Sequence, residues 1–173
     1  GAGAIGLGVI QFLKLGGASR IIALEVSKAR ARAARELGAD VVIDPRAEGE
    51  GLRDKVFSLT DGLGADVVFE CAGVPDSFYQ SIFLSKRGGQ VMVVGINDKD
   101  VTINSFNLVV WEVEMKGVLG YYDEFNYVIE FLDQGRIDPE KMISEVIGLD
   151  EVDEKGFKRL LESPDAIKIL VKP

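Results

Sequence analysis

Gly1-Ala2-Gly3-Ala4-Ile5-Gly6-Leu7-Gly8-Val9-Ile10 opens the chain, and the spacing of its first three alternating glycines decides the fold. In a G-x-G-x-x-G turn the first glycine permits a tight passage from strand to helix. The second lets backbone approach a pyrophosphate, and the third lets the new helix lie close against a sheet. Amide N–H groups and the helix dipole then hold an anion without any basic side chain. Glycine-rich turns also arise for conformational reasons alone, so the residues that follow carry the reading.

Downstream of Gly6, the apolar residues Leu7, Ile10, Phe12, Leu13 and Leu15 predict a helix packed on a sheet, stopped by Gly16-Gly17. Ile21-Ile22-Ala23-Leu24 then predicts a buried strand ending in Glu25. An acid about 20 residues after the glycines suits the adenosine ribose hydroxyls of a dinucleotide. A carboxylate at that place repels a 2′-phosphate, which favours NAD over NADP, while Lys28 and Arg30 nearby keep NADP open. A turn of this kind normally follows a buried strand. The expectation is therefore the cofactor half of an oxidoreductase whose N-terminal part lies outside these residues.

The remaining pattern is that of a parallel α/β protein. Helices are expected over Ala29–Leu37, Glu50–Leu59 and Asp76–Leu84, alternating with apolar strands at Val41–Ile43, Val67–Phe69 and Gln90–Val94, and Asp44-Pro45 reads as a turn. Such alternation implies right-handed crossovers and a parallel sheet, and the unbroken apolar runs suit strands covered on both faces. Ligands gather beyond the carboxyl ends of such strands, here the loops Gly1–Gly6, Glu25–Lys28, Cys71–Val74 and Gly95–Asp98. Past Asn97 the pattern predicts an edge strand at Val101–Ile103, a helix from Ser105 to Val110 and a strand within Glu114–Leu119. Helices carrying Phe125–Leu132 and Val152–Leu161 and a last strand at Ile167–Val171 complete it.

Composition narrows the function. The 173 residues carry a net charge of −8 without a basic cluster, which argues against nucleic acid as partner. Hydrophobic residues make up 47%, enough for a substantial core, yet no apolar run has the ~20 residues of a membrane span. There is one cysteine and no histidine, so an internal disulfide, a Cys/His zinc site and His-based acid–base catalysis are excluded within this chain. Cys71 suits a reducing, cytoplasmic setting and reads as a small core residue.

With these motifs in order, the chain resembles the zinc-containing medium-chain alcohol dehydrogenases over essentially its whole length. The matching stretches are GAGAIGLGVIQFLKLGG, RIIALEVSKARARAARELGADVVID, GADVVFECAGVP, GGQVMVVGI, MKGVLGYY and the ending GFKRLLESPDAIKILVKP. FECAGVP and IKILVKP point to the butanediol, sorbitol and threonine dehydrogenase branch. The resemblance implies a Rossmann-type doubly wound parallel sheet lacking its first strand over residues 1–121. A segment over 122–173 would return to a catalytic domain absent from these residues. Because that first strand is central in the order 3-2-1-4-5-6, its neighbours should not close into one sheet, each unpaired buried group costing about 1–3 kcal/mol.

The resemblance also assigns residues. Gly1, Gly3, Ala4, Ile5 and Gly6 would wrap the pyrophosphate, Glu25 would take the adenosine ribose, and Arg30 would lie near it. Ala72, Gly73 and Val74 would line the cofactor cleft. Val94, Gly95, Ile96, Val118 and Gly120 would hold the nicotinamide ribose and carboxamide, and Lys168 would reach the pyrophosphate or stand solvated. The parent activity implied is hydride transfer between a small secondary alcohol and NAD. Zinc would act as Lewis acid on ligands in the N-terminal domain, with no catalytic residue or metal ligand here. Glu114–Leu119 would pair with its twin in a homodimer or homotetramer. The alternatives are a stand-alone NAD-binding or redox-sensing module, opposed by the segment after Tyr121, and a zinc-free quinone or enoyl reductase, opposed by Glu25. A methyltransferase is opposed by the match beyond Gly89.

Overall fold

The computed structural model describes residues 1–163 and 165–173, and all its strand ladders are parallel. In chain order the elements begin with α1 (Ala4–Leu15), β1 (Ile22–Leu24), α2 (Lys28–Leu37), β2 (Val41–Ile43), α3 (Pro45–Glu48), α4 (Leu52–Ser58), β3 (Ala65–Glu70) and α5 (Pro75–Leu84). They continue with β4 (Ser85–Val93), α6 (Ser105–Trp111), β5 (Glu114–Gly117), α7 (Glu124–Asp133), β6 (Glu145–Gly148), α8 (Arg159–Glu162) and β7 (Ile169–Lys172). The α/β class with parallel sheets is as expected. The ladders are β1-β2, β3-β4-β5 and β6-β7. Among the described residues no strand plays the part of strand 1 in the order 3-2-1-4-5-6, and no ladder joins β1 to β3.

The chain divides into two compact units, one of Gly1 with Asp44–Gly120 and one of Ala2–Ile43 with Tyr121–Pro173. In the second unit the core is Ala2, Leu7, Ile10, Ile21, Ala23, Ala33, Ala34, Leu37 and Ala39, joined by Met142 and Ile167. Alanines on α2 let that helix lie close to β1 and β2. α2 starts where the Ser27 hydroxyl accepts the Arg30 N–H at 3.3 Å, a helix N-cap whose removal costs about 1 kcal/mol. α1 begins at Gly3 without a side-chain cap or an acid in its first turn. Its start therefore presents free N–H groups. The first unit is centred on Val91 and Ile82, both fully buried, with β4 between β3 and β5.

Three local expectations are corrected, and one strand is added. Val101–Ile103 forms no ladder; the chain turns instead into α6, capped by Asn104, whose side chain accepts the Phe106 N–H at 3.0 Å. Asp44-Pro45 does not simply turn: Asp44 caps α3, with proline at its first position where the missing N–H costs nothing. The expected helix over Asp150–Leu161 begins with a 3₁₀ turn and a π-helical stretch at Val152–Lys158 before α8. β6 was not foreseen, because two apolar residues between Glu145 and Gly148 give no local signal. Its pairing with β7, Glu145 opposite Ile169 through Gly148 opposite Lys172, makes it a strand.

Candidate functional site

In the second unit the glycine turn is fastened to the end of β1. The Ala2 N–H donates to Glu25 Oε2 at 2.7 Å. Oε1 of the same carboxylate accepts the Val26 and Ser27 N–H groups at 2.9 and 2.8 Å. Glu25 is 7% exposed, so this acid is part of the framework that shapes the turn. A carboxylate has about four acceptor positions; three are taken by backbone, which leaves capacity for a ribose hydroxyl.

The glycines of the turn differ in what requires them. A Cβ on Gly1 would stand 3.0 Å from Cα of Ala72, whereas a Cβ on Gly3 would meet nothing within 4 Å. Gly3 has φ −68° and ψ −171°, extended backbone open to any residue. Neither conformation nor protein contact demands glycine there, and the open space over the helix start fits an approaching phosphate. Gly6 is buried on α1, Ala4 and Ile5 form the first turn, and Ile5 is exposed.

Arg30 was expected near the adenosine ribose and Lys168 at the pyrophosphate or in solvent. The Arg30 Nη2 donates to the Ala166 carbonyl at 2.7 Å. Lys168 is exposed, and its carbonyl accepts the Ser144 N–H at 2.7 Å. Ser27 Oγ also donates to Asp165 Oδ1 at 3.0 Å. The structure thus groups Ala2–Gly6, Glu25, Ser27, Arg30 and Asp165–Ala166. Ser27 and Asp165 were not foreseen as partners, and only the serine, as a cap before Lys28, had a sequence signal.

In the first unit one residue organises both expected cofactor loops. Glu70 closes β3 and is 4% exposed. Its Oε1 accepts the Ala72 N–H at 2.8 Å, the Gly73 N–H at 3.0 Å and the Ser77 hydroxyl at 2.6 Å. Its backbone carbonyl accepts the N–H groups of Val94 and Gly95 at 2.9 and 2.8 Å. Gly73 has φ +67°, and a Cβ there would sit 2.5 Å from the Ile96 carbonyl oxygen. A Cβ on Gly95 would sit 2.4 Å from the Gly73 nitrogen and 2.7 Å from Glu70 Oε2. Val74 stands just before α5 without a side-chain cap, Val118 donates its N–H to the Val93 carbonyl at 2.9 Å, and Gly120 closes the unit. The importance of Glu70 was missed, although an acid at the end of a buried strand before Cys71-Ala72-Gly73 was the available signal.

Burial pushes the Cys71 thiol above its ordinary value, and the charge of Glu70 adds to the effect. Among the described residues no group of three or more His, Cys, Asp or Glu is placed to hold a metal ion. Within the second unit a cavity of about 230 Å³ lies between α1 and the α7 region, lined by Phe12, Val128, Leu132, Ile137 and neighbours. Its walls are apolar, so it does not suit a dinucleotide.

The parallel ladders, the glycine turn entering α1 and the acid closing β1 together define a Rossmann-type α/β protein. Residues 4–134 match the family model described as zinc-binding dehydrogenase. The chain belongs to that family, the zinc-type medium-chain alcohol dehydrogenases. It is 36% identical over 173 residues to (R,R)-butanediol dehydrogenase of Bacillus subtilis, covering 100% of this chain and 49% of that protein. The crystal structure of the Bacillus subtilis 2R,3R-butanediol dehydrogenase superimposes with a TM-score of 0.90. A zinc-binding dehydrogenase from Sinorhizobium meliloti, bound to NADP, is 31% identical with a TM-score of 0.83, covering 99% of this chain and 50% of that one. The chain spans about half the length of the relatives it matches.

Proposed function

We propose that this chain is the cofactor-binding half of an NAD-dependent zinc alcohol or polyol dehydrogenase. Residues 1–121 serve the dinucleotide, and 122–173 return towards a catalytic part. The observation that carries the reading is the helix start at Gly3, open to a ligand and fastened through Ala2 to Glu25. The N–H groups of α1's first turn receive the pyrophosphate, with Lys168 as the accessible basic residue for the same anion. Glu25 orients the turn with three of its acceptor positions and takes a ribose hydroxyl with the fourth. Glu70 fixes Ala72–Val74 and Val94–Ile96, the loops assigned with Val118 and Gly120 to the nicotinamide end. When bound, NAD supplies the hydride-accepting ring, and this chain positions it. Zinc would take its ligands from residues other than those described here, and the substrate would be a small secondary alcohol.

The NADP-bound relative supports the competing cofactor choice. The buried Glu25 carboxylate at the ribose position favours NAD, because it would face the charge of a 2′-phosphate. Titration calorimetry with NAD and NADP tests this: the wild type should prefer NAD, and Glu25→Gly should narrow the preference. An unchanged ratio would count against the assignment. Among the described residues β5 pairs only with β4, so its second edge is available to the same strand of a twin. This edge supports a homodimer or homotetramer, to be tested by sedimentation. No helix among the described residues is long and apolar enough to cross a membrane, and the lone cysteine supports a cytoplasmic setting.

A further inference from the structure

A 2′-phosphate on the adenosine ribose is recognised by hydroxyl donors and, above all, by a guanidinium that can approach it. Two such groups follow Glu25 closely in the chain: the Ser27 hydroxyl and the Arg30 guanidinium. Both are already engaged, and by consecutive residues of one distant segment. Ser27 Oγ spends its proton on Asp165 Oδ1 at 3.0 Å, while its lone pair accepts the Arg30 N–H. Arg30 Nη2 is drawn to the Ala166 carbonyl at 2.7 Å, and its Nε is buried without a partner. Ser27 and Ala166 are 6% and 2% exposed, while Asp165 itself is exposed, so the serine and the carbonyl are sheltered and the carboxylate reaches them from the surface.

Resting on the NAD reading above, we infer that Asp165 and Ala166 form a specificity-determining latch against NADP. Asp165 adds a second carboxylate at Ser27 and takes up the serine's donor. Ala166 holds the arginine away from a phosphate. Glu25 alone would repel the phosphate, whereas the latch also withholds the Ser27 hydroxyl and the Arg30 guanidinium, leaving Lys28, which is exposed, as a nearby cation it does not hold. The segment lies 138 residues from Ser27 in the chain, so the discrimination is set by the C-terminal stretch as well as by the loop after β1.

The test compares NAD and NADP affinities, by calorimetry on the intact protein, for wild type and Asp165→Asn. Removing one charge near a multiply charged phosphate should narrow the NAD-over-NADP ratio about tenfold, equivalent to about 1.4 kcal/mol. The narrowing should shrink as salt is raised. Asp165→Ser, which keeps a short polar side chain in the turn, gives a second measurement if the asparagine variant is unstable. A ratio unchanged in the soluble, folded variant overturns the latch while leaving the NAD reading intact. A wild type that binds neither dinucleotide overturns both.

Discussion

Replacing Glu70 by glutamine should weaken the chain by about 3 kcal/mol. The Oε1 atom accepts three hydrogen bonds, from Ala72, Gly73 and Ser77, in surroundings that leave the residue 4% exposed. Bonds to a charged acceptor contribute roughly 1.5–3 kcal/mol each against about 0.5–1.5 for neutral ones. Glutamine keeps one oxygen, so each of the three bonds survives at the lower value and loses about 1 kcal/mol. Its amide group would also occupy the place of Oε2, which accepts the Gly73 N–H at 3.3 Å, and set donor against donor. Alanine would leave all three donors unsatisfied and cost more, about 5 kcal/mol. Urea unfolding followed by circular dichroism should show a lower midpoint at unchanged slope. For a domain of this size the thermal midpoint should fall by about 6–12 °C for the glutamine variant. A glutamine variant within about 0.5 kcal/mol of wild type would refute the claim that this carboxylate holds the two loops.

Gly73→Ala places a Cβ 2.5 Å from the Ile96 carbonyl in a left-handed conformation. It should cost at least about 2 kcal/mol, read as a lowered unfolding midpoint; a neutral result would mean the loop relaxes freely. Because burial raises the Cys71 thiol, its thiolate fraction at neutral pH is below that of free cysteine. Iodoacetamide should therefore alkylate it more slowly than glutathione and speed up as the pH rises; equal or faster labelling would contradict this.

The fold was legible where the signal is local. Val41-Val42-Ile43 and Val67-Val68-Phe69 are apolar runs between turn residues, and each is a parallel strand. Glycines after Leu15 and Leu37 stop α1 and α2 as read. The chemistry at the ends of those strands was legible in residue type but not in partner. Glu25 was read as a group facing a ligand, and it also binds the Ala2 N–H across 23 residues. β6 has no periodicity of its own and exists only through β7. Asp165 had no signal at all, since its meaning depends on Ser27 at the far end of the chain. Long-range hydrogen bonds of this kind depend on how the segments pack, which a window of neighbouring residues does not contain.

The central claim is that the start of α1 receives a pyrophosphate, and Gly3→Val tests it most directly. Beyond its own chain neighbours, no described residue lies within 4 Å of a Cβ at this position, and the backbone is extended. The substitution should therefore change stability by no more than about 1 kcal/mol, while its methyl groups fill the space the phosphate needs. NAD titrated into both proteins should show saturable binding to the wild type and a loss of about tenfold or more in the variant. Equal affinity in the two would place the dinucleotide elsewhere and contradict the account.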